Sequence, residues 1–343
     1  MTGKAGGRYA RPEPPGPVPV LLARRWSARA QDGVISRTQA LAVGMTDEMI
    51  GWRLQRGSWQ RLHSGVYATF SGEPARSCWL WAAVLRAGPA SMLSHQTAAE
   101  LWDVPSRPSP LIHVTVPSGS PVAAIPGIVL HYSRRAETAR HNLLAPPRTR
   151  VEETVLDLAQ TAATLDDALG WVFGACGSRV TTASHLSAAM ALRRRMRWRR
   201  ELASALADTG SGVHSLLEHR YLTGVERAHG LPPGTRQWLA RRGQRSRYSD
   251  VAYEAFRTLV ELDGRSAHPD HARWPDIWRD NASAADGRVT LRYGWTEVNQ
   301  HPCGVARQVA DVLRRQGWNG GPRRCGRSCA IIGVAVPVSA GRG

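Results

Sequence analysis

Carboxylates gather in one run of this sequence, Tyr248-Ser-Asp-Val-Ala-Tyr-Glu-Ala-Phe-Arg-Thr-Leu-Val-Glu-Leu-Asp-Gly264, at a spacing suited to holding a hard divalent cation. Two apolar-rich stretches, Tyr248–Tyr253 and Thr258–Leu262, flank Glu254–Arg257, which predicts a β-hairpin with those four residues as its loop. That loop sets a register in which Tyr253 pairs with Thr258, Val251 with Val260, and Asp250 with Glu261. Residues so opposed have Cβ atoms ~5 Å apart, and like charges there repel each other. A cation between them turns the repulsion into a binding site. Asp263, one residue removed from Glu261, shares its face. Gly264 opens a turn and His268 lies just beyond it. Solvated acids on two half-exposed strands are the plain alternative; the mostly apolar Thr258-Leu-Val-Glu-Leu262 favours an interior strand.

Elements must hold these residues, and the chain is long enough to supply them. Its 343 residues allow two or three domains with proper cores. A formal net charge of +18 implies a polyanionic partner, in a soluble protein usually nucleic acid. Lys4 is the one lysine, so arginine carries the charge. Cys78, Cys176, Cys303, Cys325 and Cys329 make an odd, irregularly spaced set, which suits a reducing compartment better than a disulfide scaffold. No apolar run approaches the ~20 residues of a membrane span. The N-terminus has Val18–Ala23 as its apolar stretch and lacks a secretory signal. A cytoplasmic, nucleoid-associated protein is expected.

Residues 1–25, rich in Gly, Pro and Arg, read as a disordered basic tail. Ser36-Arg-Thr-Gln39 is a capping box that should start a helix running to Val43. Thr46 should cap a second helix, with Met49, Ile50 and Leu54 inward, Arg53, Gln55 and Arg56 elsewhere, and Gly57 as its stop. Trp59–Tyr67 then alternates and turns at Ser64-Gly65. Helix, tight turn, helix and ribbon outline a winged helix-turn-helix over residues 26–72, although a plain helical hairpin gives part of the same pattern.

Residues 36–67 resemble the N-terminal winged helix of AbiEi-type antitoxins and related regulators. Leu93-Ser-His-Gln-Thr-Ala-Ala-Glu-Leu-Trp102, Ile112-His-Val-Thr-Val-Pro117 and Arg150-Val-Glu-Glu-Thr-Val-Leu-Asp-Leu-Ala159 resemble segments C-terminal to the winged helix in that family. The resemblance spans about half the chain in scattered short matches. It implies promoter-type DNA binding, by position through Arg53 and Arg56, and a cognate toxin or other protein partner. In the residues themselves, 73–165 read as a mixed α/β middle domain. Cys78–Leu85 is a buried helix ended by Gly88-Pro89, and Ile112–Val116 and Ile128–Tyr132 are strands. Cys78 and Cys176 fit as small core residues, and His95 as a cap or core residue. Residues 166–210 read as a helical linker whose Arg193-Arg-Arg-Met-Arg-Trp-Arg-Arg200 either tracks phosphates or is simply solvated. Asp208-Thr-Gly-Ser-Gly212 marks a domain boundary.

A helix beginning at Ser211 or Gly212 should carry Val213, Leu216, Leu217, Leu222 and Val225 inward, with Glu218 bordering that stripe, either as an ordinary exposed acid or leaning over the sheet toward Asp250. Trp238–Ala240 is a candidate strand, and the acidic hairpin comes after it. A helix around Asp276–Ala285, a strand at Val289–Tyr293 and a final helix from Pro302 complete residues 211–318. The expected fold is a multidomain α+β or α/β chain. Helix, three strands, helix, strand, helix, with acids at these places, resembles the restriction-endonuclease-like PD-(D/E)XK superfamily, and within it the very-short-patch-repair endonucleases. The resemblance carries over Glu218 as the helix acid, Asp250 and Glu261 as the motif acids, Asp263 and Gly264 as the turn after them, His268, and Arg279-Asp280. The motif's Lys falls at position 263, where this chain has Asp.

The resemblance implies a Mg²⁺- or Mn²⁺-dependent endodeoxyribonuclease, in phage defence or DNA repair. Asp250 and Glu261 would hold a first ion, with Glu218 or Asp263 completing it or a second. His268 would transfer the proton, its unperturbed pKa lying near 6.5. Arg279 meets a phosphate, or pairs with Asp280 or a neighbouring helix. His271 and Asp276 receive no role. A non-catalytic regulator or antitoxin that keeps the nuclease fold for binding is the rival reading. In the tail, 319–343, Cys325-Gly-Arg-Ser-Cys329 has a zinc-compatible spacing, and His301 with Cys303 would complete a set of four. No Walker or dinucleotide glycine pattern occurs.

Overall fold

The structure is a computed structural model of the chain, and describes residues 30–106, 109–242, 245–263 and 287–331. It divides into two compact units, residues 1–101 with 106–154, and residues 102–105 with 155–343. The boundaries expected at 72/73, 165/166 and 210/211 fall inside these units. The fold is mixed α and β, with three small sheets among the described residues.

In the first unit, β1 (Val34–Ser36) leads into α1 (Arg37–Ala42), α2 (Asp47–Gln55), β2 (Gln60–His63) and β3 (Val66–Ala68), and the sheet order is β1-β3-β2. Ser36 and Gln39 form the expected capping box, and the Thr46 hydroxyl accepts from the Met49 amide at 3.3 Å. Ile35, Ala40, Met45, Ile50, Trp59 and Tyr67 make the core beneath these helices. Met49, expected inward, is 42 % exposed while Ile50 is 3 % exposed. One residue around a helix is ~100°, and the stripe that meets the core is Ile50 with Leu54.

The rest of that unit is α3 (Arg76–Ala87), β4 (Met92–Leu93), α4 (His95–Leu101), β5 (Ile112–Pro117), β6 (Ile128–Ser133) and α5 (Ala136–Ala139), with sheet order β4-β5-β6. Strands β5 and β6 run parallel from Ile112 against Ile128. Leu80, Val84, Leu93 and Val114 fill the space under α3. His95 is buried and stacks on His131 at 3.6 Å between ring centroids. Burial, then His113, brings His131 down to about 4, so it stays neutral in this stack near neutral pH.

The second unit holds the C-terminal part of α6 (Val151–Thr161), then α7 (Leu165–Gly177), α8 (Ala183–Ala191) and α9 (Arg199–Gly210). The arginine run is not one helix, because α8 ends at Ala191 and α9 starts at Arg199. Arg193 pairs with Asp157 at 2.8 Å, Arg197 donates to the Ala162 carbonyl at 3.0 Å, and Arg199 to the Met190 carbonyl at 3.0 Å. These three brace the connection, while Arg194, Arg195 and Arg200 are exposed.

Residues 208–212, where a boundary was expected, lie inside the second unit. Asp208 is buried and accepts two hydrogen bonds from Arg227, at 2.7 and 3.1 Å. The next helix starts later than Ser211 or Gly212. Gly212 has φ +93°, and the N-cap is Ser215, whose hydroxyl accepts from the Glu218 amide at 3.1 Å. Helix α10 (Leu216–Arg220) continues as a wider π-helical stretch, Tyr221–Arg227.

Strands β7 (Thr235–Arg242), β8 (Arg245–Tyr253), β9 (Thr258–Asp263) and β10 (Val289–Gly294) form a sheet of order β10-β9-β8-β7. β10 runs parallel to β9 and the other pairs are antiparallel. α11 (Trp295–Gln300) and α12 (Pro302–Arg315) come next, with Pro302 in the first turn of α12 as expected. Val251, Tyr253, Val260, Leu262 and Tyr293 pack with Leu217, Tyr221 and Val225 and with Val305, Val309 and Leu313 in one core. The tail at 1–25 and the helix expected around Asp276–Ala285 lie outside the described residues. Among those described, no helix is long and apolar enough to cross a membrane.

Candidate functional site

The acidic hairpin forms with the predicted register through its loop: Tyr253 opposes Thr258, Ala252 opposes Leu259 and Val251 opposes Val260. Glu254–Phe256 make a 3₁₀ turn, and Arg257 adopts a left-handed conformation. The ladder stops at Val251, so Asp250 and Glu261 are not a ladder pair as expected. β8 goes on against β7. The Asp250 carboxylate (Oδ2) accepts from the Leu262 amide at 2.7 Å, standing in for the missing backbone bond where β8 leaves β9.

Glu218 approaches from α10 and is buried. Its Oε2 accepts from the His214 amide at 3.0 Å and from Gln237 Nε2 at 3.3 Å. Gln237 belongs to β7, between the ladder pairs Arg236–Val251 and Trp238–Ser249, and has φ +47°. Burial raises the Asp250 pKa; the Leu262 amide opposes that, and the charges of Glu218, Glu261 and Asp263 raise it further. Three acids thus act on Asp250: Glu261 and Asp263 from the hairpin, and Glu218 from α10. Glu261 lies opposite Arg292 in the β9–β10 ladder and pairs with its guanidinium at 3.0 Å. Asp263 is exposed at the end of β9. Among the described residues, however, the set of His, Cys, Asp or Glu ligand atoms lying within 4.8 Å of one another is not this one. Gly264, His268, His271, Asp276, Arg279 and Asp280 lie outside the described residues.

A second carboxylate system was missed in the sequence. Glu226 is buried; it pairs with Arg236 at 2.6 Å and accepts from the Tyr253 hydroxyl at 3.0 Å and the Gly234 amide at 3.3 Å. Tyr221 and Tyr253 hydroxyls are 3.0 Å apart. Burial raises the Glu226 pKa and Arg236 works against it. A Cβ on Gly234 would overlap Cγ1 of Val251 and press on Glu226, so the residue must be small.

The set that does close to within 4.8 Å is His229, Cys303, Cys325 and Cys329. The three cysteines are those expected from spacing, with His301 expected as the fourth ligand. His301 instead sits at the exposed N-cap position of α12, and the histidine in the cluster comes from the far end of the Glu218 helix. Sulfur separations are 3.7 Å for Cys303–Cys325 and 3.6 Å for Cys303–Cys329. Burial pushes the Cys329 thiol up, but the amides of Cys325 and Ile331 and the neighbouring thiols outweigh it and bring it down to about 6. The hydrogen bond to Cys329 is the main cause pushing Cys325 up to about 11.

In the first unit, Arg56 is exposed at the end of α2 with its guanidinium 4.3 Å from the ring centre of the half-exposed Trp52. Arg53 is partly buried and lies 5.6 Å from the ring centre of Trp59. No protein-family model and no curated protein sequence matches the chain.

Proposed function

We propose that the chain binds DNA and that its second unit is a Mg²⁺- or Mn²⁺-dependent endonuclease. The observation that carries this reading is Asp250: a carboxylate at the point where two strands part, with Glu218, Glu261 and Asp263 all acting on its charge. The helix, three-strand and strand-helix order, with β10 parallel to β9, supports the restriction-endonuclease-like assignment.

The donor set fits a hard cation, since every candidate ligand is a carboxylate oxygen. Glu218 and Asp250 take their N–H donors on one oxygen each, Oε2 and Oδ2, which leaves the other to a metal. When bound, such an ion neutralises charge on the phosphorane and lowers the pKa of a water. The protein's own groups hold the acids in place: the Leu262 amide orients Asp250, Gln237 and the His214 amide orient Glu218, and Arg292 holds Glu261. Arg292 also brings a positive charge to a site whose motif position 263 is Asp rather than Lys. His268 is proposed, from the family resemblance, to move the proton. For DNA, the exposed Arg56 over Trp52 is the presented contact of α2, and Arg53 and, from the family resemblance, Arg279 are proposed as further contacts.

A regulator or antitoxin without catalysis is the second reading, favoured by Asp263 at the Lys position and by Glu261 being already engaged with Arg292. Purified full-length protein with supercoiled plasmid and short duplexes, in Mg²⁺, Mn²⁺ or EDTA, separates the two. Cleavage that needs metal and is lost in Asp250→Asn supports the nuclease. Binding without cleavage in every condition supports the regulator.

A further inference from the structure

We propose that His229, Cys303, Cys325 and Cys329 form a structural zinc site, independent of the nuclease reading. Three features point to a metal. Zinc–sulfur bonds of about 2.3 Å at tetrahedral angles put sulfurs about 3.8 Å apart, and the two separations here are 3.7 and 3.6 Å. A disulfide would bring sulfurs to about 2.0 Å, and these cysteines are free.

The second feature is the histidine. His229 is 0 % exposed, and its Nδ1 lies 3.0 Å from the Val225 carbonyl, to which it donates. That bond leaves Nε2 as the bare acceptor, and Nε2 is buried without a hydrogen-bond partner. A buried imidazole nitrogen without a donor is costly, and its position among three thiols is what a ligand histidine oriented by a backbone carbonyl looks like. All four ligand atoms lie within 4.8 Å of one another.

The third feature is how the tail reaches the site. The Arg323 amide donates to the His229 carbonyl at 2.8 Å, the Arg323 guanidinium donates to the Arg227 carbonyl at 2.9 Å, and the Cys329 amide closes a turn on Gly326 at 3.2 Å. Ile331 then enters the core. A zinc here joins three separate stretches: the end of the helix that carries Glu218, the first turn of α12, and the tail. Soft thiolates with one imidazole select zinc over magnesium, and four protein ligands leave no open position for substrate. The site is a clamp. Its ligands bind as thiolates and neutral imidazole, so loading releases the thiol protons to solvent.

The test uses full-length protein prepared under reducing conditions with added Zn²⁺, freed of loose metal by gel filtration, and in parallel with Co²⁺. Zinc equimolar with the chain should be retained, and cobalt should give the intense visible bands of a tetrahedral thiolate complex. Cys325→Ala, in the exposed tail, should lose both signals while remaining folded; His229→Ala should also lose them. His301→Ala, Cys78→Ala and Cys176→Ala should keep them, the last two because those thiols lie elsewhere. Chelation should lower the melting temperature of the wild type and leave that of Cys325→Ala unchanged. Zinc retention no greater than in Cys325→Ala, an octahedral cobalt spectrum, or loss of the signal in His301→Ala with retention in His229→Ala overturns the assignment.

Discussion

Glu226 and Asp250 belong to the same unit, and their surroundings are opposite in kind. Glu226 has Arg236 at 2.6 Å and donors from Tyr253 and Gly234. Asp250 has one amide, from Leu262, and otherwise feels three more acids. Burial raises the pKa of both, so a raised value alone does not tell structure from function. The counter-charge does. A buried acid with its cation in place is part of the scaffold, and an acid among acids carries a cost that protonation or a further cation relieves.

Replacing Asp250 by Asn should produce the largest change. The variant keeps an acceptor for the Leu262 amide and removes a charge, so metal-dependent cleavage should vanish while the metal-free protein becomes more stable near neutral pH. The sign follows from the raised folded pKa. Below about pH 3.9 the unfolded and folded carboxyls are both protonated and the variant gains nothing. Its advantage should grow as pH rises and level off above the raised pKa. Urea melts across that range measure it, and a variant less stable at neutral pH would place Asp250 with Glu226. Asp250→Ala is a poorer probe, because it strands the Leu262 amide at about 1–3 kcal/mol.

Arg236→Met should act in the other direction, stranding Glu226 in the core and costing about 3–5 kcal/mol in urea midpoint analysis. Adding Glu226→Gln should return much of that loss; no recovery would mean that Arg236 acts through packing alone. Gly234→Ala, which crowds Val251 and Glu226, should cost about 1–3 kcal/mol. The smallest effect concerns arginine, where the same contrast recurs between Arg193, buried against Asp157, and Arg56, presented over Trp52. Arg56→Ala should lower the slope of log binding against log salt by about one unit on duplex DNA, with stability unchanged. Arg53→Ala should lower stability too, since its guanidinium lies against Trp59.

Local patterns were legible in the sequence, and contacts between distant segments were not. The Ser36 and Thr46 caps, the Glu254–Arg257 loop and the register from Val251 to Tyr253 each depend on residues a few positions apart. The pairing of Asp250 with Glu261 fails because the β8–β9 ladder ends at Val251, beyond which the Asp250 side chain rather than its backbone meets the Leu262 amide, an exchange no hairpin rule includes. Arg292 meets Glu261 only through a parallel ladder, and parallel register leaves no turn to read. His301 stands close to Cys303 in sequence, so spacing favours it, while His229 arrives from another helix. Asp208 reads as a boundary residue because its neighbours are Gly, Ser and Thr; its partner Arg227 lies a helix away.

That parallel ladder has a consequence for the order of assembly on the ribosome. Thr258 of β9 meets Val289 of β10, so β9 must leave synthesis with one edge open and wait for a distant stretch to arrive. Until then Glu261 has no Arg292, and the apolar side of β9 lacks the helix that begins at Pro302. Pairings that close a long loop form late, since the entropy of closure is lost before the contacts return it. The acidic corner therefore matures only once β10 and α12 have been made, and a nascent chain that stops short of them holds the same acids without the strand and helix that bring them to order.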